Sequence, residues 1–196
     1  MIHQLKSDLR SELIAKETTL KKMTTIHIEE PSLGSHNTEV KINYKPESCR
    51  VVCIQLNRLK VKRDCKATNL FKDSVEMINK LGDAILLVEK KDNLYILAIE
   101  MKSSTTEKTI KNQLHNAEAL GKYIVDLYSL NYGLSYGCVK CLRIVVKTSK
   151  AKNRKYIDYN HGIEEHWNPS KEAYSLICDS DLTLNILLNA KKMLKV

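Results

Sequence analysis

The chain has 196 residues, 43% of them hydrophobic, and a formal net charge of +9. That length buries the core of one domain, taken to run from 1 to 196, without disulfides or structural metals. No stretch approaches the ~18 unbroken apolar residues of a membrane helix, and the charged start "MIHQLKSDLRSELIAKE" lacks a signal peptide's apolar core, so a soluble cytoplasmic protein with no membrane role is expected.

Ile2, Leu5, Leu9 and Leu13 fall on one helical stripe and predict a helix over 2–17. The segment "EEPSLGSHNTE" has the composition of a loop. Strands are expected at 38–44 and 50–62, and the alternation in "NRLKVK" would place Arg58, Lys60 and Lys62 on one face of the second. Residues 69–81 read as a short helix stopped by Gly82. "LGDAILLVEKKDNLYILAIEMKSS" then has the pattern of a β-hairpin, with Asp92 and Asn93 tolerating the backbone of a tight turn. In the next segment Ser104 and Glu107 have capping-box spacing, and Ile110, Leu114, Ala117, Gly121, Ile124 and Tyr128 make one helical stripe, with Gly121 allowing close approach to a sheet. Lys111, His115, Glu118 and Lys122 fall on the opposite face. A strand is expected at 138–148 and a C-terminal helix around "DLTLNILLNAKKML". The order is that of a mixed α/β fold.

Basic side chains gather in "RLKVKRDCK" and in "KTSKAKNRKY", which includes Lys150, Lys152 and Arg154. Such patches attract phosphate backbones, and they equally make a solvated lysine-rich surface. The cysteine pairs Cys49/Cys53 and Cys138/Cys141 sit in strand-like runs without the turns of a zinc knuckle, so buried free thiols are expected. His161, Glu164, Glu165 and His166 match no metalloprotease spacing and read as a loop. Trp167, Tyr156 and Tyr159 are candidates for stacking on bases or for packing.

Three residues of the hairpin break its apolar pattern: Asp83, Glu100 and Lys102. A loop at Asp92-Asn93 sets Asp83 opposite Lys102 and Glu100 opposite Ile85, so all three converge on one face at the open end. Close carboxylates repel unless a cation lies between them. Hard oxygen donors favour Mg²⁺ or Mn²⁺, which activates water and neutralises charge on a phosphate, while an ammonium offsets transition-state charge. The same three residues also suit a helix–strand junction and ordinary cross-strand ion pairs.

Asp83, sixteen further residues and then Glu100-Met101-Lys102, running into a helix and a strand, resemble the signature of the PD-(D/E)XK nuclease superfamily over residues 69–148. The resemblance implies a restriction-endonuclease-like α/β fold, a mixed central sheet flanked by helices. It implies a metal-dependent nuclease acting on DNA more than RNA, in restriction or antiviral defence, as a homodimer or beside a partner subunit. Asp83, Glu100 and the Met101 carbonyl would bind Mg²⁺ or Mn²⁺, and Lys102 would position or activate water. Arg58, Lys60, Lys62, Lys150, Lys152 and Arg154 would hold double-stranded DNA. Gly82 stands where a proline often precedes the aspartate. The family's upstream helical glutamate corresponds to Glu76, although its helix leads straight into Asp83 without an intervening strand; Glu12 is the rival. Gln113 matches a functional glutamine of some relatives, but Ala117 replaces the tyrosine that accompanies it. The alternative is a catalytically silent nucleic-acid-binding or scaffolding subunit.

Overall fold

Backbone polar groups that leave water must find partners within the chain, and the apolar runs at 51–56, 84–88 and 94–101 find most of theirs in a sheet. The computed structural model describes residues 1–29, 39–60, 81–102, 107–147, 167–177, 182–191 and 194–195. Helix α1 (Ile2–Asp8) precedes strands β1 (Lys16–Leu20), β2 (Met23–Glu29), β3 (Glu39–Tyr44) and β4 (Arg50–Gln55). Strands β5 (Ala84–Lys90) and β6 (Asn93–Lys102) form the hairpin, and helix α2 (Glu107–Tyr132) leads to β7 (Cys138–Lys147). Strands β8 (Trp167–Asn168), β9 (Ala173–Ile177) and β10 (Leu182–Thr183), helix α3 (Leu184–Leu188) and strand β11 (Leu194–Lys195) follow.

The larger sheet has the order β4-β5-β6-β7-β9-β8, with β11 also on β7. Its first three strands are an antiparallel meander, whereas β7 runs parallel to β6 after the crossover through α2, and β9 runs parallel to β7. The smaller sheet has the order β1-β2-β3-β10. The two are joined by one apolar core, in which Ile26, Ile28, Val40 and Ile42 meet Leu86, Val88, Leu97, Ile99 and Ile144. The opposite face of the larger sheet, through Ile85, Leu87, Ile96, Ala98 and Val145, is covered by Ile110, Leu114 and Ala117 of α2 and by Ile2 and Leu5 of α1. Buried on both faces, β5 and β6 are continuous apolar runs, as central strands must be.

Alternation accounts for what periodicity mistook. The helix expected over 2–17 ends at Asp8, where Leu9 turns extended, and the chain is in β1 by Lys16. Threonines 18, 19, 24 and 25 favour a strand, and Ile26 and Ile28 alternate inward, which is the signal for β1 and β2 that the helical stripe obscured. The strand expected over 50–62 stops at Gln55 and becomes a 3₁₀ turn over Leu56–Lys60, so Arg58 and Lys60 are on a turn and not on a strand face, while Lys62 lies outside the described residues. The C-terminal helix is the short α3, between two strand segments. Cys49, Cys53, Cys138 and Cys141 are free thiols, three of them buried. Residues 69–80 of the helix expected at 69–81 lie outside the described residues, and Leu81 itself is not helical.

Gly121 is where α2 presses on the hairpin: a Cβ there would come within 2.6 Å of Ile96 Cγ2 and 3.3 Å of Ile85 Cγ2. Helix propensity alone favours Gly121→Ala by about 1 kcal/mol. Both contacted methyls belong to β-branched residues with little freedom to move, so we expect the substitution to destabilise by about 1–2 kcal/mol instead. A urea midpoint that falls at unchanged m-value is the expected result; a rise would show that the helix can lift off.

Candidate active site

β5 is entered through Leu81-Gly82-Asp83, a segment fixed from three sides. The Gly82 amide donates to Gln113 O on α2 (3.1 Å), and the Asp83 amide donates to Ile99 O on β6 (2.9 Å). The Asp83 carbonyl accepts the amides of Leu56 (2.8 Å) and Asn57 (3.3 Å), which is what bends the chain into a turn after β4. A Cβ on residue 82 would sit 3.0 Å from Ile99 O and 3.3 Å from the Ala117 methyl, so a side chain at this crossing of helix and strand would have to push its neighbours aside by a few tenths of an ångström.

The hairpin turns at Lys91-Asp92, one residue earlier than expected, with Lys91 at φ +54°. Ile85 therefore faces Ala98, not Glu100. The slip is even in register, and an even slip leaves each side chain on its original face. Glu100 stays on the α2 side with Ile96 and Ala98, and Asp83 moves from the level of Lys102 to that of Glu100 and Met101. There Asp83 Oδ2 accepts the Met101 amide at 2.7 Å, completing the ladder where β5 has ended.

Glu100 is wholly buried and Asp83 is 5% exposed. The Lys102 ammonium pairs with Glu100 Oε1, and its side chain keeps 24% exposure, so the trio meets solvent on the lysine side. Among the described residues no group of three or more His, Cys, Asp or Glu side chains is arranged to hold a metal ion. Two carboxylates and the Met101 carbonyl are all hard oxygens, too few to enclose an ion. Hard oxygens are the donor type that Mg²⁺ and Mn²⁺ take, with water completing their shells.

The Asp83 hydrogen bond decides which variant tests chemistry. Asp83→Ala leaves the buried Met101 amide without its acceptor, at about 1–3 kcal/mol, whereas Asp83→Asn keeps an oxygen for it. We expect Asp83→Asn to melt near wild type and Asp83→Ala several degrees lower, read by thermal denaturation. Equal melting would mean that the carboxylate does not hold the strand.

The other candidate residues are placed unevenly. Gln113 is buried, its Nε2 3.4 Å from Leu81 O, beside the segment that carries Asp83. Arg58 is half-buried at the surface and already engaged, with NH1 on Glu12 O (2.9 Å) and NH2 on Glu29 Oε2 (3.2 Å). Lys60 ends the same 3₁₀ turn, and Glu12 is on an exposed turn over Ser11–Leu13. Glu76, Lys62, Lys150, Lys152 and Arg154 lie outside the described residues, as do Ser104, Tyr156, Tyr159 and the stretch 161–166. A cavity of about 610 Å³, lined among others by Cys49, Arg50, Glu89, Asp92 and Tyr136, is at the turn end of the hairpin, away from Asp83 and Glu100.

Sequence reasoning placed Lys111, His115, Glu118 and Lys122 on the helix face opposite the apolar stripe; the structure ties them to Arg143 of β7 and to Glu172 in the turn before β9. Glu118 is 4% exposed and Arg143 7%. Arg143 Nε donates to Glu118 Oε2 (2.6 Å), Lys122 pairs with Glu118 Oε1 (2.6 Å), and Arg143 NH1 reaches Glu172 Oε2 (3.1 Å). Glu172 also pairs with Lys111 and lies 3.2 Å from His115 Nε2. The signal in the sequence was Arg143, a charge inside the apolar run of β7.

Burial pushes the Glu118 carboxyl up, but hydrogen bonds from Lys122 and Arg143 outweigh it and leave the group below its usual 4.5. The Lys111 hydrogen bond lowers Glu172. Desolvation, then Arg143, lowers His115 below 6.5. Groups lowered on folding stabilise the protein above their ordinary pKa and lose that contribution as pH falls through the folded one. The melting temperature should therefore drop as pH falls from 7 to 4, with His115 charging first and the carboxylates protonating from about pH 4.5 downward. Glu118→Gln should drop less than wild type below pH 4.5; a parallel drop would assign the acid loss elsewhere.

No family model matches the chain, and neither a curated protein nor a solved structure matches it. No helix among the described residues is long and apolar enough to cross a membrane.

Proposed function

We propose that this chain is a metal-dependent nuclease of the PD-(D/E)XK type, hydrolysing phosphodiester bonds of DNA in preference to RNA. The observation that carries the reading is the Asp83 carboxylate bonded to the Met101 amide, between a buried Glu100 and a solvent-reaching Lys102. The order of elements supports it as well: an antiparallel hairpin bearing the three residues, then a helix, then a strand parallel to the second arm of the hairpin.

Asp83 and Glu100, joined by the Met101 carbonyl, would hold Mg²⁺ or Mn²⁺. Such an ion supplies charge neutralisation at the phosphoryl oxygens and a more acidic bound water. Lys102 orients the attacking water from the open side and offsets charge as the phosphorus–oxygen ester bond breaks. The water oxygen joins phosphorus, and the leaving oxygen takes a proton. Burial of both carboxylates makes their charge effective by excluding competing solvent. The net charge of +9 draws a polyanion toward the protein.

Incubation of supercoiled plasmid with the wild-type protein in Mg²⁺, Mn²⁺ or chelator tests the reading. Nicked or linear product in the metals alone is expected, and its form reports endonuclease action. Cleavage that persists in chelator, or none in either metal, would contradict it.

A further inference from the structure

A buried arginine held by one carboxylate has no need of a second, yet Arg143 has Glu118 at 2.6 Å and Glu172 at 3.1 Å. The two carboxylates are not equivalent. Glu118 is buried on α2 and fixes the guanidinium. Glu172 comes from the turn between β8 and β9, its side chain 41% exposed, and gathers Lys111, His115 and Arg143 around one group. We propose that Lys111, His115 and Arg143 form a binding site for one phosphodiester group of a nucleic-acid backbone, and that Glu172 fills this site in the free protein. The ligand class rests on the nuclease reading; the site itself rests on the cluster.

The backbone of Glu172 argues for a lodged side chain. Its φ is +50°, a left-handed conformation unfavourable for a residue with a Cβ, and the contacts with three basic groups offset that strain. The charges argue for an anion. Lys111, Lys122 and Arg143 are three permanent cations against two carboxylates; with Glu172 swung out, they are three against one. A guanidinium edge and a lysine suit phosphate oxygens as well as carboxylate oxygens, and His115 adds a ring nitrogen.

Position links the cluster to the candidate active site. Arg143 is level with Ala98 and Glu100 with Val145 on adjacent parallel strands, so Arg143 and Glu100 are one strand and two residues apart. Their backbones are about 8 Å apart by strand spacing and rise, on the face that α2 covers. Lys111 is on the first turns of α2, which begins just beyond Lys102. A strand crossing the active site meets this cluster at its next phosphates.

The test is the affinity of a fluorescein-labelled DNA duplex, measured by anisotropy in chelator across a salt series, for wild type, Glu172→Gln and Glu172→Gln/Lys111→Gln. Glu172→Gln should bind roughly three- to tenfold tighter, with a salt slope steeper by about one unit, because one more phosphate is neutralised. Lys111→Gln in that background should return both to wild type. Glu172→Gly, which also relieves the positive φ, should tighten binding similarly. Equal affinity and slope for wild type and Glu172→Gln, tightening that survives Lys111→Gln, or no duplex binding by any variant would overturn the proposal. Tightening without plasmid cleavage in metal would keep this site and remove the catalytic reading; cleavage with an indifferent Glu172→Gln would do the reverse.

Discussion

Lys102→Met should lower the rate of metal-dependent plasmid cleavage by about 10²–10⁴-fold while leaving DNA affinity in chelator within about twofold. Lys102 is the member of the trio most open to solvent, and its ammonium is paired with Glu100 Oε1. A group in that place acts on the reacting water and the leaving charge more than on the bound duplex. Methionine keeps the length and apolar stem of the side chain, so packing is preserved and charge alone is removed. The pairing also has a structural side, because Glu100 is wholly buried. Loss of its cation should lower the melting temperature in the absence of metal, and Mn²⁺ should restore most of that loss by binding the freed carboxylate. Single-turnover cleavage and thermal melting with and without Mn²⁺ check both parts. A Lys102→Met protein that cleaves within threefold of wild type would remove the lysine from the chemistry.

Arg143→Met should be the most damaging substitution to stability, at about 3–5 kcal/mol by urea unfolding. The guanidinium is 7% exposed and Glu118 4%, so removing the cation leaves a carboxylate in a dry place with Lys122 as its partner. Taking both charges away costs less than taking one, since no buried ion is left over. Arg143→Met/Glu118→Met should recover more than half of the loss. Lys111→Ala, whose ion pair with Glu172 is half exposed on both sides, should cost under about 1 kcal/mol. A loss below 1 kcal/mol for Arg143→Met would mean that α2 is held to β7 by its apolar face alone.

These residues show where a sequence is legible and where it is not. Hairpin, helix and following strand were readable because apolar pattern and turn residues agreed over long elements. Gly121 was readable as the point of contact with the sheet, because glycine in a helical stripe has few other uses. The turn was misplaced by one residue because Lys91 adopts a positive φ that its side chain does not advertise. The shared face of Asp83 and Glu100 survived only because the register error was even. The β1–β2 hairpin was hidden by the helical spacing of Leu9 and Leu13, although Ile26 and Ile28 alternated in plain view. Arg58 was misassigned to a basic strand face because its neighbours alternate. Its fate was set by the Asp83 carbonyl, which takes the amides of Leu56 and Asn57 and ends the strand. No local pattern encodes a contact of that range. The partners of the charged face of α2 were not legible for the same reason: only the tertiary fold brings Arg143 to Glu118.

The measurement closest to the central claim is calorimetric titration of Mn²⁺ into the wild-type protein, Glu100→Gln and Lys102→Met. One ion per chain for the wild type, its loss in Glu100→Gln and its retention in Lys102→Met would place a divalent cation between Asp83 and Glu100. Absence of binding to the wild type, or undiminished binding to Glu100→Gln, would contradict a metal-dependent site at the open end of this hairpin.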